Sequence, residues 1–234
     1  MTKETGMLTS TVATLHDNAA HGEDNYLVRD LGDNRVLDAV MDGVTERRGA
    51  EASQEVVEAL EAASLASPHD VAAVLEATNA RLYRMGWGRF VFTTASVTLC
   101  LDDTLYVVSA GDSPVFLIRS DGMQRLVSRT SGFMRTGIAR ALGIRQELGS
   151  LYRAEVPLQP GDRLVLATDG VSDCLTQKEL TEIVLGATSP GDAAAEVERL
   201  IASRQAAGHL PHELGGRFRP DDRTAIFRFF RSAT

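Results

Sequence analysis

The chain has 234 residues, 44% of them hydrophobic, and a formal charge of −8, a composition that fits a globular protein with a sizeable core and makes disorder the wrong starting assumption. The negative charge disfavours a nucleic-acid partner, because phosphate neutralisation calls for a basic surface. No apolar run approaches the ~18 residues of a membrane span, the start MTKETGMLTS lacks the regions of a signal peptide, and the two cysteines, Cys100 and Cys174, fit no zinc spacing, so a soluble cytoplasmic protein with no disulfide and no membrane partner is expected.

In chain order, the acidic stretch HGEDNYLV (21–28) precedes the apolar run VLDAVMDG (36–43). Ala52, Val56, Leu60 and Ala63 then recur at three- and four-residue steps, and Val71, Val74, Leu75, Thr78, Leu82 and Met85 repeat the pattern after Pro68, so two amphipathic helices are predicted. Residues 96–127 alternate β-rich runs with turns at Asp102-Asp103, Gly111-Asp112 and Asp121-Gly122 and read as an antiparallel meander. A glycine-rich stretch (128–150) follows, then the strand RLVLATDG, two helices near 177–186 and 191–206, the Gly- and Pro-containing linker GHLPHELGGRFRP, and a closing strand RTAIFRFF. With no repeat and no interdomain linker, the order suggests one α+β domain over 1–234 with antiparallel sheets covered by helices.

Two apolar runs, ending at 43 and 170, both stop at Asp-Gly. The plain reading is that Asp makes local turns and Gly accepts positive φ, and Asp121-Gly122 is read as such a hairpin turn. The sharper reading needs Asp42 and Asp169 to meet in space. Acidic stretches at HGEDNYLV, VMDGV, SAGDSP, ATDGVSD and RPDDRTAIF all fall at predicted strand ends or turns, where several carboxylates can share a cleft and a hard cation can offset their repulsion.

The order and contents of these motifs resemble the metal-dependent protein phosphatases, the PPM or type-2C serine/threonine phosphatases. GEDNYLV is similar to that family's Asn-Glu-Asp segment, VMDGVTERRGAEAS to its Asp-Gly turn followed by Gly-x-x-Ala-Ser, and FTTASVTLCLDDTLYVVSAGDSPVFLIR to its Gly-Thr-Thr meander. GDRLVLATDGVSDCLTQKEL matches its Ser-Asp-Gly turn, and DDRT its closing Asp-Asn-x-Thr; the resemblance spans about Glu23 to Thr224. It implies an α-β-β-α sandwich of two antiparallel sheets and two Mn2+ or Mg2+ ions. By the resemblance, Asp42 would serve both ions and Asp169 and Asp221 would hold one. The Gly43 carbonyl with Asp24, and Glu23 directly or through water, would hold the other. Asp112 and Asp173 match positions that help bind a third, looser ion in relatives; their bland readings are a turn acid and a helix N-cap.

The implied activity is hydrolysis of phosphoserine or phosphothreonine in a protein substrate by water, with Asp42 and Asp169 as the central catalytic acids and a monomer expected. Ala19 stands where the family usually carries a phosphate-gripping Arg, and Val44 where some relatives carry a candidate acid histidine. Arg47 and Arg48 are candidate replacements for the phosphate grip, against the plainer reading of a solvated pair; His16 and His21 are candidate proton donors beside water. These losses point to the compact bacterial partner-switching, signalling subgroup. Gly132, Gly137 and Gly143 are expected to loosen a flap whose Arg135, Arg140 and Arg145 could meet a partner. His209 and His212 read as surface residues, Cys100 and Cys174 as buried thiols, and Trp87 and Phe90 as core or rim. The competing function is a pseudophosphatase that keeps the fold as a regulatory binding module; a calcium-binding structural domain is weaker, since no Asp-x-Asp-x-Asp-Gly loop is present.

Overall fold

The structure, a computed structural model, describes residues 8–44, 48–127 and 141–233. Three strands open the chain, β1 (Leu8–Asp17), β2 (Asn25–Gly32) and β3 (Arg35–Met41), followed by helices α1 (Gly49–Ala62) and α2 (Pro68–Gly86). Then come β4 (Ala95–Leu101), β5 (Thr104–Ala110), β6 (Val115–Arg119), β7 (Gly122–Arg125), β8 (Tyr152–Pro157) and β9 (Arg163–Ala167). Helices α3 (Asp169–Ser172), α4 (Gln177–Gly186) and α5 (Pro190–Ala207) lead to β10 (Arg223–Ser232). The strands form two sheets, ordered β1-β10-β9-β6-β7 and β2-β3-β4-β5-β8, with neighbouring strands antiparallel.

Strand periodicity sorts side chains into three apolar layers. Leu37, Ala39 and Met41 of β3 pack with Ala52, Val56 and Leu60 of α1 and Val71, Leu75 and Leu82 of α2. Their alternates join the layer between the sheets, where Val40, Cys100 and Val107 meet Leu117, Leu164, Leu166 and Ile226. On the other outer face, Val165, Ala167, Ala225 and Phe227 pack with Leu180, Val184, Val197 and Ile201 of α4 and α5. The result is an α-β-β-α sandwich. The central strands read as continuous apolar runs because both faces are covered.

Local signals start the helices. Ser67 caps α2 in a reciprocal capping box with Asp70, with Pro68 in the first turn, and Thr176 does the same for α4 with Glu179. The plainer of the two readings of Asp173, a helix N-cap, is therefore corrected: Asp173 ends α3, its N–H donating to the Asp169 carbonyl at 2.8 Å, and the N-cap of α4 is Thr176. Arginines close two helix ends, Arg29 donating to the carbonyls of Leu60 and Ala63 and Arg163 to those of Val184 and Ala187.

Three expectations change. The meander at 96–127 is two hairpins in different sheets: β4 pairs with β5, the chain crosses over at Gly111–Pro114, and β6 pairs with β7 and β9. Strands β1 and β8 stand where the sequence marked no element. Of the two readings for Trp87 and Phe90, core or rim, their exposure of 79% and 50% leaves the rim. Gly143 does not loosen its surroundings: its N–H donates to the buried Asn79 Oδ1 at 2.9 Å, and a Cβ there would lie 2.0 Å from the Val91 carbonyl oxygen. Gly132, Gly137, Arg135 and Arg140 lie outside the described residues, while Arg145 is exposed. Cys100 and Cys174 are free and buried, and burial raises both thiols to about 11, which leaves them unreactive.

Candidate functional site

The two Asp-Gly pairs occupy the same end of the sandwich on different sheets, Asp42 just past β3 and Asp169 just past β9. Neither glycine has a positive φ. Each is required by close packing instead: a Cβ on Gly43 would lie 2.4 Å from the Glu23 carbonyl oxygen and 2.6 Å from the Gly49 carbonyl carbon, and one on Gly170 would lie 1.9 Å from the Asp222 carbonyl oxygen. Gly122, after Asp121, has φ 145° and nothing near its missing Cβ, as a hairpin turn requires. The same dipeptide thus does two different jobs.

The backbone of Asp42 is clamped. Its N–H donates to Thr94 Oγ1 at 3.1 Å, and its carbonyl accepts from the Thr94 N–H at 2.8 Å and Thr93 Oγ1 at 2.9 Å. The Gly-x-x-Ala-Ser stretch acts through packing: Gly49 lies against Gly43, and the fully buried Ser53 donates to the Glu23 carbonyl at 2.7 Å. Asp222 holds the loop before β2, accepting from the backbone N–H of Glu23 at 2.7 Å, His21 at 2.8 Å and Ala20 at 3.2 Å. Burial alone would raise its carboxyl, but the backbone N–H groups of Glu23, His21, Gly22 and Asp24 bring it below the usual range. Thr168, in front of Asp169, donates to Asp24 Oδ2 at 2.7 Å and so ties the two sheets across the cleft.

Asp222, Thr168 and Ser53 stand inside the quoted motifs, but the sequence assigned them no role of their own. Their neighbours Asp221, Asp169 and Ala52 drew attention first, and their partners lie up to about 200 positions away.

The acids repel one another. Burial, followed by the carboxylates of Asp169, Asp24, Asp221 and Asp112, pushes Asp42 well above the ordinary range. Asp24 is raised to about 7 by burial, with Asp222 and Asp169 adding to the rise and hydrogen bonds from Thr168 and Thr224 opposing it. Asp169 reaches about 6 through burial and then Asp221, Asp173 and Asp112, offset by a hydrogen bond from Asp42. Asp169 is accessible from the cleft, so desolvation weighs less on it than on Asp24, which is 4% exposed. Burial also raises Asp221, against the N–H of Asp222 and the neighbouring His21. Glu23 Oε2 is buried without a hydrogen-bond partner among the described residues.

This is an all-oxygen donor set in excess of local positive charge, which fits hard divalent cations. Among the described residues, however, no three acidic, histidine or cysteine side chains are grouped closely enough to hold a metal ion as they stand. The fit therefore rests on donor chemistry, the orphaned Glu23 oxygen and the charge accumulated at Asp42.

Other sequence candidates are placed as follows. Asp112 and Asp173 are exposed and near enough to act electrostatically on Asp169. Arg48 begins α1 with φ 51° and is paired with Glu51, while Arg47 lies outside the described residues. His16 Nδ1 lies 3.0 Å from Thr224 Oγ1, and burial lowers its imidazole below the usual range. His21 Nε2 is 3.8 Å from Asp221 Oδ1. His209 and His212 are exposed.

A cavity of about 320 Å3 opens beside the acids, with Asp169, Asp173 and Asp221 in its lining and Arg217 and Arg219 also facing it. A second cavity of about 410 Å3, lined by Phe116, Leu175 and Leu180 among others, meets it at Asp173 and Leu214.

The family model of stage II sporulation protein E (SpoIIE) matches residues 47–227. Among solved structures, the chain is similar to PppA, a key regulatory component of T6SS in Pseudomonas aeruginosa, with TM-score 0.78 and 21% identity over 95% of this chain and 98% of that one. It is similar to the serine/threonine phosphatase Stp1 from Staphylococcus aureus, with TM-score 0.77 and 18% identity over 93% and 94% of the two chains. It also resembles the catalytic domain of the serine threonine protein phosphatase PstP in complex with 2 manganese ions, with TM-score 0.72 and 20% identity over 96% and 99%. No curated protein matches the chain.

Proposed function

Because the chain belongs to the stage II sporulation protein E (SpoIIE) family, within the metal-dependent protein phosphatases, we propose that it hydrolyses phosphoserine or phosphothreonine in a protein substrate. The observation that carries this reading is the meeting of Asp42 and Asp169 from different sheets at one end of the sandwich, close enough for the Asp169 charge to raise Asp42, with a surplus of negative charge around them. An acid cluster of this kind costs stability in a bare fold and makes sense where cations are to be held.

In this proposal one domain over residues 1–234 acts as a monomer in the cytoplasm. Asp42 would serve two Mn2+ or Mg2+ ions, Asp169 and Asp221 one of them, and Asp24, Glu23 and the Gly43 carbonyl the other. Asp112 and Asp173 would serve a third. The presence of two manganese ions in the related PstP structure supports the choice of metal. When bound, the ions supply Lewis acidity that lowers the pKa of water and offsets phosphate charge. The chain's own residues supply order. Thr93 and Thr94 fix the Asp42 backbone, Thr168 aims Asp24, and Asp222 and Ser53 hold the Glu23 loop, so the acids are presented from rigid strand ends.

A second reading, a pseudophosphatase serving as a regulatory binding module, draws on Ala19, which stands where the family usually carries a phosphate-gripping Arg, and on the description of PppA as a regulatory component. One assay separates the two. Phosphate release from a phosphothreonine peptide is measured with Mn2+, Mg2+, Ca2+ or chelator. Mn2+-dependent release abolished by chelator supports the enzyme, and metal binding without turnover supports the module.

A further inference from the structure

Building on the phosphatase reading, we propose that Arg217 and Arg219 form the phosphate grip of this site, holding the dianionic phosphoryl group of the substrate against the acidic wall of the 320 Å3 cavity. Both line the same cavity as Asp169, Asp173 and Asp221, with Arg219 only two residues before Asp221. Carboxylates alone would repel a phosphate dianion. A site that receives one needs cations on the carboxylate side and hydrogen-bond donors opposite, and a guanidinium offers paired donors matched to phosphate oxygens.

The loop that carries them is braced. Phe218 is buried in the core layer under α4 and α5, whereas Arg217 and Arg219 on either side of it are exposed. This alternation puts both arginine side chains on the face opposite the anchor. Leu210, also buried, receives its backbone partner from the same loop, its N–H donating to the Gly216 carbonyl at 3.1 Å, and residue 217 bridges to 209. Gly208, Gly215 and Gly216, with φ of 66°, 91° and 75°, let the chain reverse tightly enough to make these bonds.

The two guanidinium groups also differ from the arginines that hold the fold. Arg119, Arg163, Arg204, Arg223 and Arg228 are engaged by carboxylates or carbonyls, and Arg48 by Glu51. Among the described residues, Arg217 and Arg219 have no side-chain hydrogen bond or ion pair. Two arginines with no side-chain partner among the described residues, on a braced loop facing a cavity that three acids also line, are what an incoming phosphate would complete.

The test compares wild type, R217A, R219A, R217A/R219A and the remote control R231A. Binding of inorganic phosphate in the presence of Mn2+ is followed by calorimetry, and KM and kcat are measured for a phosphothreonine peptide. Each single change should weaken phosphate binding and raise KM about tenfold, and the double change more, with R231A unaffected. The Mn2+-induced rise in Tm should persist in the double variant, which separates lost phosphate contact from lost metal or fold. Unchanged phosphate affinity and KM in the double variant overturn the inference while leaving the phosphatase reading intact. If wild type shows no Mn2+-dependent turnover, that reading falls, and the calorimetric comparison alone decides the arginines: loss of phosphate binding in the double variant supports them, and equal or absent binding in both proteins overturns them.

Discussion

Asp42, Asp169 and Asp121 each precede a glycine, yet they should respond differently to neutralisation. Asp42→Asn and Asp169→Asn are expected to lower Mn2+-dependent turnover by roughly a hundredfold or more, because each removes charge from the cluster that would hold the ions; Asp121→Asn should stay within about twofold of wild type. Stability gives a check that needs no substrate. In chelator, Asp42→Asn should melt at or above wild type, since a raised and repelled carboxyl is gone. With saturating Mn2+, wild type should gain roughly 5–10 °C and the variant little. A variant that loses stability in chelator and keeps the full Mn2+ gain would make Asp42 a turn residue only. Asp222 belongs to the same scale but acts through the backbone. Asp222→Ala strips the N–H groups of Ala20, His21 and Glu23 of their acceptor and should cost roughly 2–4 kcal/mol, read as a lower urea midpoint, along with weaker Mn2+ affinity.

Among the elements, the helices were readable because their signals are local. Pro68 after Ser67, Asp70 three residues on, and the Thr176/Glu179 pair are complete within one turn. Thr176→Ala should therefore cost about 1 kcal/mol and lower Tm by about 2–4 °C while leaving KM unchanged, as a denaturation curve and a kinetic assay can show together. Strands were less legible. β1 alternates weakly, burying only Leu8 and Leu15, and takes its order from pairing with β10, more than two hundred residues away. β8 buries alternate residues only partly at the edge of its sheet. The meander shows the other limit: strand–turn–strand patterning looks the same whether the next strand pairs with the last one or crosses to the facing sheet. The crossing at Gly111–Pro114 is decided by where β9 stands.

At the scale of the whole molecule, one ion pair joins the sheets. Arg228 of β10 meets Asp38 of β3 through two hydrogen bonds of 2.6 and 2.7 Å and reaches Ser10 Oγ at 2.8 Å, all within the layer between the sheets. Arg228→Leu alone leaves a buried carboxylate and should cost about 3–5 kcal/mol, whereas Asp38→Leu with Arg228→Met should lose far less, because no charge is stranded. Chemical denaturation of the three proteins measures the difference.

The acid cluster gives the metal-free molecule an unusual pH response. Asp24 at about 7 and Asp169 at about 6 are raised above their unfolded value of 3.8. The folded state therefore holds more protons, and stability present below pH ~4 is lost as pH rises through about 6 and 7. In chelator, Tm should fall between pH 5 and 7.5 by an amount equivalent to a few kcal/mol, with Asp24 and Asp169 adding to the contribution of Asp42, which is raised well above the ordinary range. Asp24→Asn should flatten that slope, and a wild-type Tm that rises over this range in chelator would contradict the shifts.

Sequence alone determined what can be encoded within a few residues: helix periods and caps, apolar strands bounded by turns, and an ordered series of acidic motifs whose resemblance pointed to the sandwich and its phosphatase family. Tertiary structure decided everything that depends on which distant segments touch. It separated Gly43 and Gly170, required by a crossing backbone, from Gly122, required by a turn. It gave Asp222, Thr168 and Ser53 their tasks and placed Arg217 and Arg219, hidden in a stretch that read as linker, on the wall of the acidic cavity. The physical reason is one of range. Propensity and capping act over single turns, while close packing, charge repulsion and the sharing of a cavity exist only once the two sheets have brought strand ends together.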